Sequence, residues 1–168
     1  MGSNRRTFPA AGSRRTLNSM ASNKKKMTPA DLGLDLSSGA PDQLYRWLLA
    51  SLLFGKRIQQ EIAARTWHVL IDNGLTGPEK FADVSRDQLM RLLTEGGYVH
   101  YRWKEDDELH TVMAGIIREF GSVSDMVKDA ESPAELRRRL EQFPGIGPVT
   151  ANIFLEWVPE RFNGTYAG

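Results

Sequence analysis

From Pro41 onward, apolar residues recur at three- and four-residue intervals, and no stretch of useful length alternates with period two. Such spacing lays apolar side chains along one face of a helix and cannot form one face of a strand. The clearest case is Arg102–Phe120, where Leu109, Val112, Met113, Ile116 and Phe120 make a single stripe that Gly121 stops. Helices are also predicted over Asp42–Phe54, over Ile58–Ile71 with a stop at Asn73-Gly74, and over Ser85–Leu93 with a stop at Gly96-Gly97. A short turn of helix is predicted at Ser124–Asp129. Pro133 and Pro148, each suited to a first helical position, open Pro133–Gln142 and Pro148–Trp157. Ser85 with Gln88, and Ser132 with Glu135, carry the spacing of capping boxes. The pattern predicts an all-α domain over residues 41–168, with about seven helices, short loops and no internal repeat.

Composition changes this picture mainly at the N-terminus. Gly33, Gly39 and Pro41 among polar residues make Asp31–Pro41 read as a linker, so residues 1–40 are expected to be a tail and its connection. Residues 1–26 hold seven of the chain's 22 basic residues and no acid, which sets a tail of about +7 against a body of about −6. Such a segment is poor in aromatics and cannot bury enough surface to fold alone, so it is expected to be disordered. Three readings of it stay open: a DNA tether that gains affinity by releasing counterions, a targeting peptide, and an upstream extension of a chain that starts at Met20 or Met27.

No apolar run approaches the ~18 residues of a membrane span, so no membrane partner is expected. The absence of cysteine excludes disulfides and cysteine-ligated zinc or iron–sulfur centres. No cofactor is expected. Oligomeric state and compartment are not readable, beyond an intracellular, DNA-associated setting if the chain binds DNA.

The candidate chemistry lies between the last two predicted helices, in Phe143-Pro144-Gly145-Ile146-Gly147-Pro148-Val149-Thr150-Ala151. Glycine permits positive φ and leaves backbone amides uncovered, while Ile146 between the two glycines is placed to turn inward and pin the connection. The amides of Gly145, Gly147 and Val149, beside the positive end of the following helix, would make a cradle of phosphate size, with Pro148 at the first helical position and Thr150 adding a hydroxyl. An ordinary αα-hairpin with a Pro-Gly turn is the plain alternative. The nine residues resemble the helix-hairpin-helix family, whose pattern runs apolar, Pro, Gly, Ile or Val, Gly, two variable residues, Thr, Ala, and they match each fixed position.

The resemblance reaches upstream. Leu48–Phe54 leading into a polar helix, then Ser85–Leu93, Gly97-Tyr98, Lys104 and the long helix to Phe120 resemble, in order and spacing, the endonuclease III-like DNA glycosylases over residues 41–157 or so. The resemblance implies a helical barrel-like domain whose partner is duplex DNA, contacted through Pro144, Gly145, Ile146, Gly147, Val149 and Thr150. Lys56 and Arg57 fall at the turn where relatives place a polar side chain in the gap left by a flipped base; a surface role at a helix start is the alternative.

The resemblance also stops short. Relatives that cleave the backbone carry a lysine immediately before the Thr-Ala pair, to form an imine with the sugar, and this chain has Val149 there. Single-activity relatives use an aspartate beyond the second hairpin helix, and this chain has no acid after Glu160. Glu156 and Glu160 are the remaining carboxylates of that region and read more simply as solvated surface charges. No catalytic residue is assigned.

Elsewhere, His68, His100 and His110 are too scattered for a metal site, and no metal is expected. The run Glu105-Asp106-Asp107-Glu108 reads as a solvated helix start, because four consecutive helical residues point in different directions. Of Arg137-Arg138-Arg139, one or two are expected to face phosphate while the others meet Glu135 and Glu141. The sequence therefore predicts binding to the backbone of duplex DNA, without sequence readout and without catalysis of its own. Two alternatives stay open: a piece of an active glycosylase whose aspartate lies beyond Gly168, and a non-catalytic protein-interaction module.

Overall fold

The computed structural model describes residues 26–56, 58–98 and 102–159, with the backbone alone for 102–105. Seven α-helices and two 3-10 helices occur among the described residues, with no strand. The fold is all-α, as the periodicity predicts.

The central element is α1 (Pro41–Phe54), in which every residue from Leu44 to Phe54 except Arg46 is buried. A helix apolar on all sides has to be covered on all sides, and the rest of the chain does this. α2 (Gln60–Asp72) lays Ala63, Trp67 and Leu70 against it, and Trp67 Nε1 donates to the Arg46 carbonyl at 2.9 Å. The Tyr45 hydroxyl donates to the Leu75 carbonyl at 2.7 Å, which fixes the turn after α2 to the same helix. α3 (Arg86–Gly96) packs on α2 and then on α4 (Arg102–Phe120), whose stripe of Leu109, Val112, Met113 and Ile116 is fully buried. α5 (Val123–Lys128) fills the space between α4 and α1, and α6 (Pro133–Glu141) leads into α7 (Pro148–Trp157). α7 returns to α1, where Trp47 Nε1 donates to the Phe154 carbonyl at 3.3 Å. The end of the described chain thus covers its beginning, and this packing sets the geometry of the candidate site.

The segment Asp31–Pro41 departs from the linker reading. Thr28 and Asp31 form a capping box at a 3-10 helix, Pro29–Leu32, and Leu32, Leu34 and Leu36 are buried in the common core. The packed unit therefore begins well before Pro41. Burying three leucines stabilises it by roughly 1.5–3 kcal/mol each, which outweighs the glycines that suggested a linker. A second unforeseen 3-10 helix, Pro78–Asp83, anchors Phe81 in the core against α4. α2 begins two residues later than its periodicity suggests, at Gln60.

The Ser85–Gln88 capping box forms in full. At α6 only half of one forms. The Ser132 hydroxyl accepts from the Glu135 amide, but Glu135 reaches past Ser132 to the Glu131 amide at 2.9 Å while its other oxygen holds Arg139 at 3.0 Å. The Glu131 amide and Arg139 together hold the Glu135 carboxyl below its usual range. The basic N-terminal segment up to residue 25 lies outside the described residues, as do Arg57, His100 and Glu160. No helix of the described residues is long and apolar enough to cross a membrane.

Candidate nucleic-acid interface

The connection between α6 and α7 is held by local chemistry at each position. The Ile146 amide donates to the Phe143 carbonyl at 3.1 Å, and Gly145 has φ +93°. With Pro144 ahead of it, this is the pattern of a type II turn, whose third residue needs positive φ and so needs glycine. Phe143 and Ile146 are buried, Phe143 edge-on to Phe120 with ring centroids 6.4 Å apart. Two apolar side chains therefore pin the turn while its backbone stays outside, as expected of Ile146.

Gly147 then serves as the N-cap of α7 in extended conformation, and no side chain caps the helix. The first intrahelical bond runs from the Ala151 amide to the Gly147 carbonyl at 3.0 Å, so the amides of Val149 and Thr150 belong to the first turn, which has no acceptor within the helix. The amides of Gly145 and Gly147 donate to no backbone carbonyl among the described residues. Gly147 is exposed, and a Cβ built on it meets nothing within 4 Å. Val149 is 62% exposed beside it. No acidic residue stands in the first turn of α7.

Ile146, buried as expected, reaches a ligand only through its backbone, and Thr150 takes a different position from the one expected. Thr150 is buried as well, and its hydroxyl is turned toward Gly55 at the end of α1. A Cβ on Gly55 would overlap that hydroxyl and stand 3.1 Å from the Thr150 Cβ. Thr150 therefore offers an amide, while its side chain locks α7 to α1.

This lock brings Lys56 to the same face. Its ammonium pairs with Glu108 of α4, and both side chains are largely covered, at 23% and 17% exposure. Glu108 in turn lies against the α6–α7 turn, since a Cβ on Gly145 would stand 3.0 Å from its carboxyl carbon and from Oε1. One surface thus collects the end of α1, the first half of α4 and the α6–α7 turn, three stretches more than 30 residues apart in sequence. Gly55 and Glu108 are the members that sequence reasoning missed. Gly55 was visible as a glycine directly after an apolar helix, whereas no local signal marks Glu108.

The acidic run is the main correction. Asp106 is 1% exposed, with Arg86 Nε at 3.1 Å and His110 Nδ1 at 3.1 Å from its oxygens, and Glu108 is covered as just described. Among the described side chains of the run, Asp107 is the solvated charge that it suggests, at 62% exposure and paired with Arg86. Burial pushes the Asp106 carboxyl up, against the pull of His110 and Arg86. His110 also sets Nε2 3.0 Å from the Val84 carbonyl, so it joins α4 to the chain ahead of α3. No cluster of three potential metal ligands occurs among the described residues.

In α6, Arg137 meets Glu141 and the Asn152 side chain, and Arg139 meets Glu135 and lies 4.9 Å over the Phe120 ring. Arg138 is exposed and makes no ion pair among the described residues. On the outer side of α7, Phe54, Gln60, Val149, Ile153 and Trp157 line a groove of about 330 Å³. Glu156 stands at its rim, 43% exposed and 3.2 Å from Lys26. The chain matches no protein-family model and no curated protein.

Proposed function

We propose that this chain binds duplex DNA through its phosphate backbone, with the α6–α7 connection acting as a helix-hairpin-helix element in a glycosylase-like helical domain. The observation that carries this reading is the uncapped start of α7, with Gly147 open on its outer side and the loop amides of Gly145 and Gly147 without a backbone acceptor among the described residues. Backbone amides gathered at a positive helix end bind an anion of phosphate size without reading a base. The nine-residue match of Phe143–Ala151 to the helix-hairpin-helix pattern supports the same reading from sequence. Lys56 adds cationic charge on the same surface, and Arg138 of α6 is exposed and makes no ion pair among the described residues.

The proposed activity is binding alone. Val149 carries no amine to attack a sugar, and Glu156, the described carboxylate nearest the groove, is exposed and engaged with Lys26.

Gly147→Ala is the direct test. Open space around Gly147 and its φ of −101° let alanine fit, at a cost to the cap of about 0.5–1 kcal/mol, and the added methyl takes up open space beside the backbone that a phosphate would approach. Affinity for mixed-sequence duplexes should fall by a similar factor on every sequence, with circular dichroism unchanged. Equal affinity in the folded variant would refute the reading.

A further inference from the structure

The Lys56–Glu108 pair gives the candidate interface an unusual feature: its best-placed cation is held by a carboxylate that itself rests on the turn. Glu108 Oε1 pairs with Lys56, and the same side chain packs on Gly145, close enough that a single methyl there would press on it. Phosphate is also an anion, and it would approach the same turn and the same ammonium. We propose, resting on the DNA-binding reading above, that Glu108 is an internal rival of the phosphate: it occupies Lys56 in the free protein, and duplex binding hands Lys56 from carboxylate to phosphate.

Three features of the structure favour a rival over a plain structural ion pair. Glu108 is not part of the apolar stripe of α4, whose members Leu109, Val112, Met113 and Ile116 are fully buried without it. Its place between α1 and the α6–α7 turn is the one where a second anion meets both partners at once. The surface around it is otherwise arranged for anions, with an uncapped helix start and no acid in the first turn of α7. A carboxylate in that setting lowers affinity, less so when its cation can turn to the phosphate than when it keeps that cation for itself.

Glu108→Gln keeps the shape and hydrogen-bonding capacity of the side chain and removes its charge. Binding to an undamaged mixed-sequence duplex, followed across a salt series with the full chain, should tighten by ~3–10-fold near 0.1 M salt, with log K against log salt steeper by up to ~0.9, because no freed carboxylate then takes up a cation as Lys56 meets phosphate. Adding Lys56→Met to Glu108→Gln should abolish the gain and return the slope to that of the wild type. Glu119→Gln, on the same helix eleven residues further on, removes an exposed carboxylate about 16 Å away along the axis and should change affinity far less.

A structural pair alone would alter the melting temperature without altering the salt slope, so circular dichroism and thermal unfolding accompany each variant. Glu108→Ala carries the same expectation if the glutamine variant is poorly folded. Unchanged or weaker binding by folded Glu108 variants, or an equal gain in Glu119→Gln, overturns the rivalry and leaves the DNA-binding reading standing. No binding by the wild type and by every Glu108 variant overturns both.

Discussion

Gly55→Ala tests the lock between α1 and α7, on which the shape of the candidate interface depends. Gly55 has φ −78°, so alanine meets no backbone strain, and replacing glycine should by itself stabilise the chain by about 0.5–1 kcal/mol. The obstacle is space. The new methyl would overlap the Thr150 hydroxyl and stand 3.1 Å from the Thr150 Cβ and 3.2 Å from the Ser51 carbonyl. Thr150 is β-branched, stiff at χ1 and buried in the first turn of α7, so it cannot swing away without moving the helix. Overpacking of this kind costs about 1–3 kcal/mol, which leaves a net loss of up to roughly 2.5 kcal/mol and a melting temperature lower by up to about 10 °C for a chain of this size. Thermal unfolding by circular dichroism reads this directly. Thr150→Ala removes the overlapping hydroxyl and leaves only the 3.1 Å approach to Cβ, so the double variant should be less destabilised than the sum of the singles. A melting temperature that rises in Gly55→Ala, as the loss of glycine alone would produce, would refute the close approach of α1 to α7.

Removal of residues 1–25 should lower duplex affinity and flatten the salt slope by up to ~0.9 for each phosphate that the segment no longer neutralises; an identical slope would leave the basic segment without a part in DNA binding. Because burial raises the Asp106 carboxyl, the folded chain holds this proton to higher pH than the unfolded chain does. Its stabilising contribution is therefore present at low pH and lost as pH rises through the folded value. In urea unfolding, the stability of the wild type relative to Asp106→Asn should accordingly improve between about pH 7 and pH 4, around and above the ordinary carboxylate range, and a flat difference would count against the burial argument. Incubation with duplexes containing uracil, oxidised pyrimidines, alkylated purines or abasic sites should give neither base release nor a borohydride-trapped adduct, since Val149 offers no amine. Turnover abolished by Glu156→Gln would instead make Glu156 the catalytic acid.

The helices were legible because burial imposes a period on the chain: the stripe of Leu109, Val112, Met113 and Ile116 is nearly a drawing of the face that α4 buries. Stop signals worked for the same local reason, since Gly97 and Gly121 adopt positive φ where the helices end. What escaped was set by partners distant in sequence. Leu32, Leu34 and Leu36 sit among glycines and polar residues, and only the core formed by other elements makes them core residues. Thr28 with Asp31 is a readable capping box in that segment, but Gly33 and Gly39 close by point the other way, toward a linker.

The site divides along the same line. Positive φ at Gly145, the inward Ile146 and the open Gly147 follow from nine consecutive residues, and sequence suffices for them. Glu108 could not be read, because a charge in an acidic run gains meaning only from what faces it, and it is faced by Lys56 across 52 residues. The same holds for Asp106, two positions earlier, which turns to Arg86 and His110. Two residues two positions apart on a helix lie about 200° apart around its axis, so one run of acids serves two unrelated surfaces. This bears on how the chain would meet DNA. The body carries an excess of acid, so long-range attraction cannot bring a phosphate backbone to it, and binding has to be won at short range. A pre-paired Lys56 loses its field at a distance and regains it only when a phosphate is close enough to displace Glu108. The pair would thus discriminate between an anion seated on the turn and one merely passing by, and long-range attraction would fall to the basic residues 1–26.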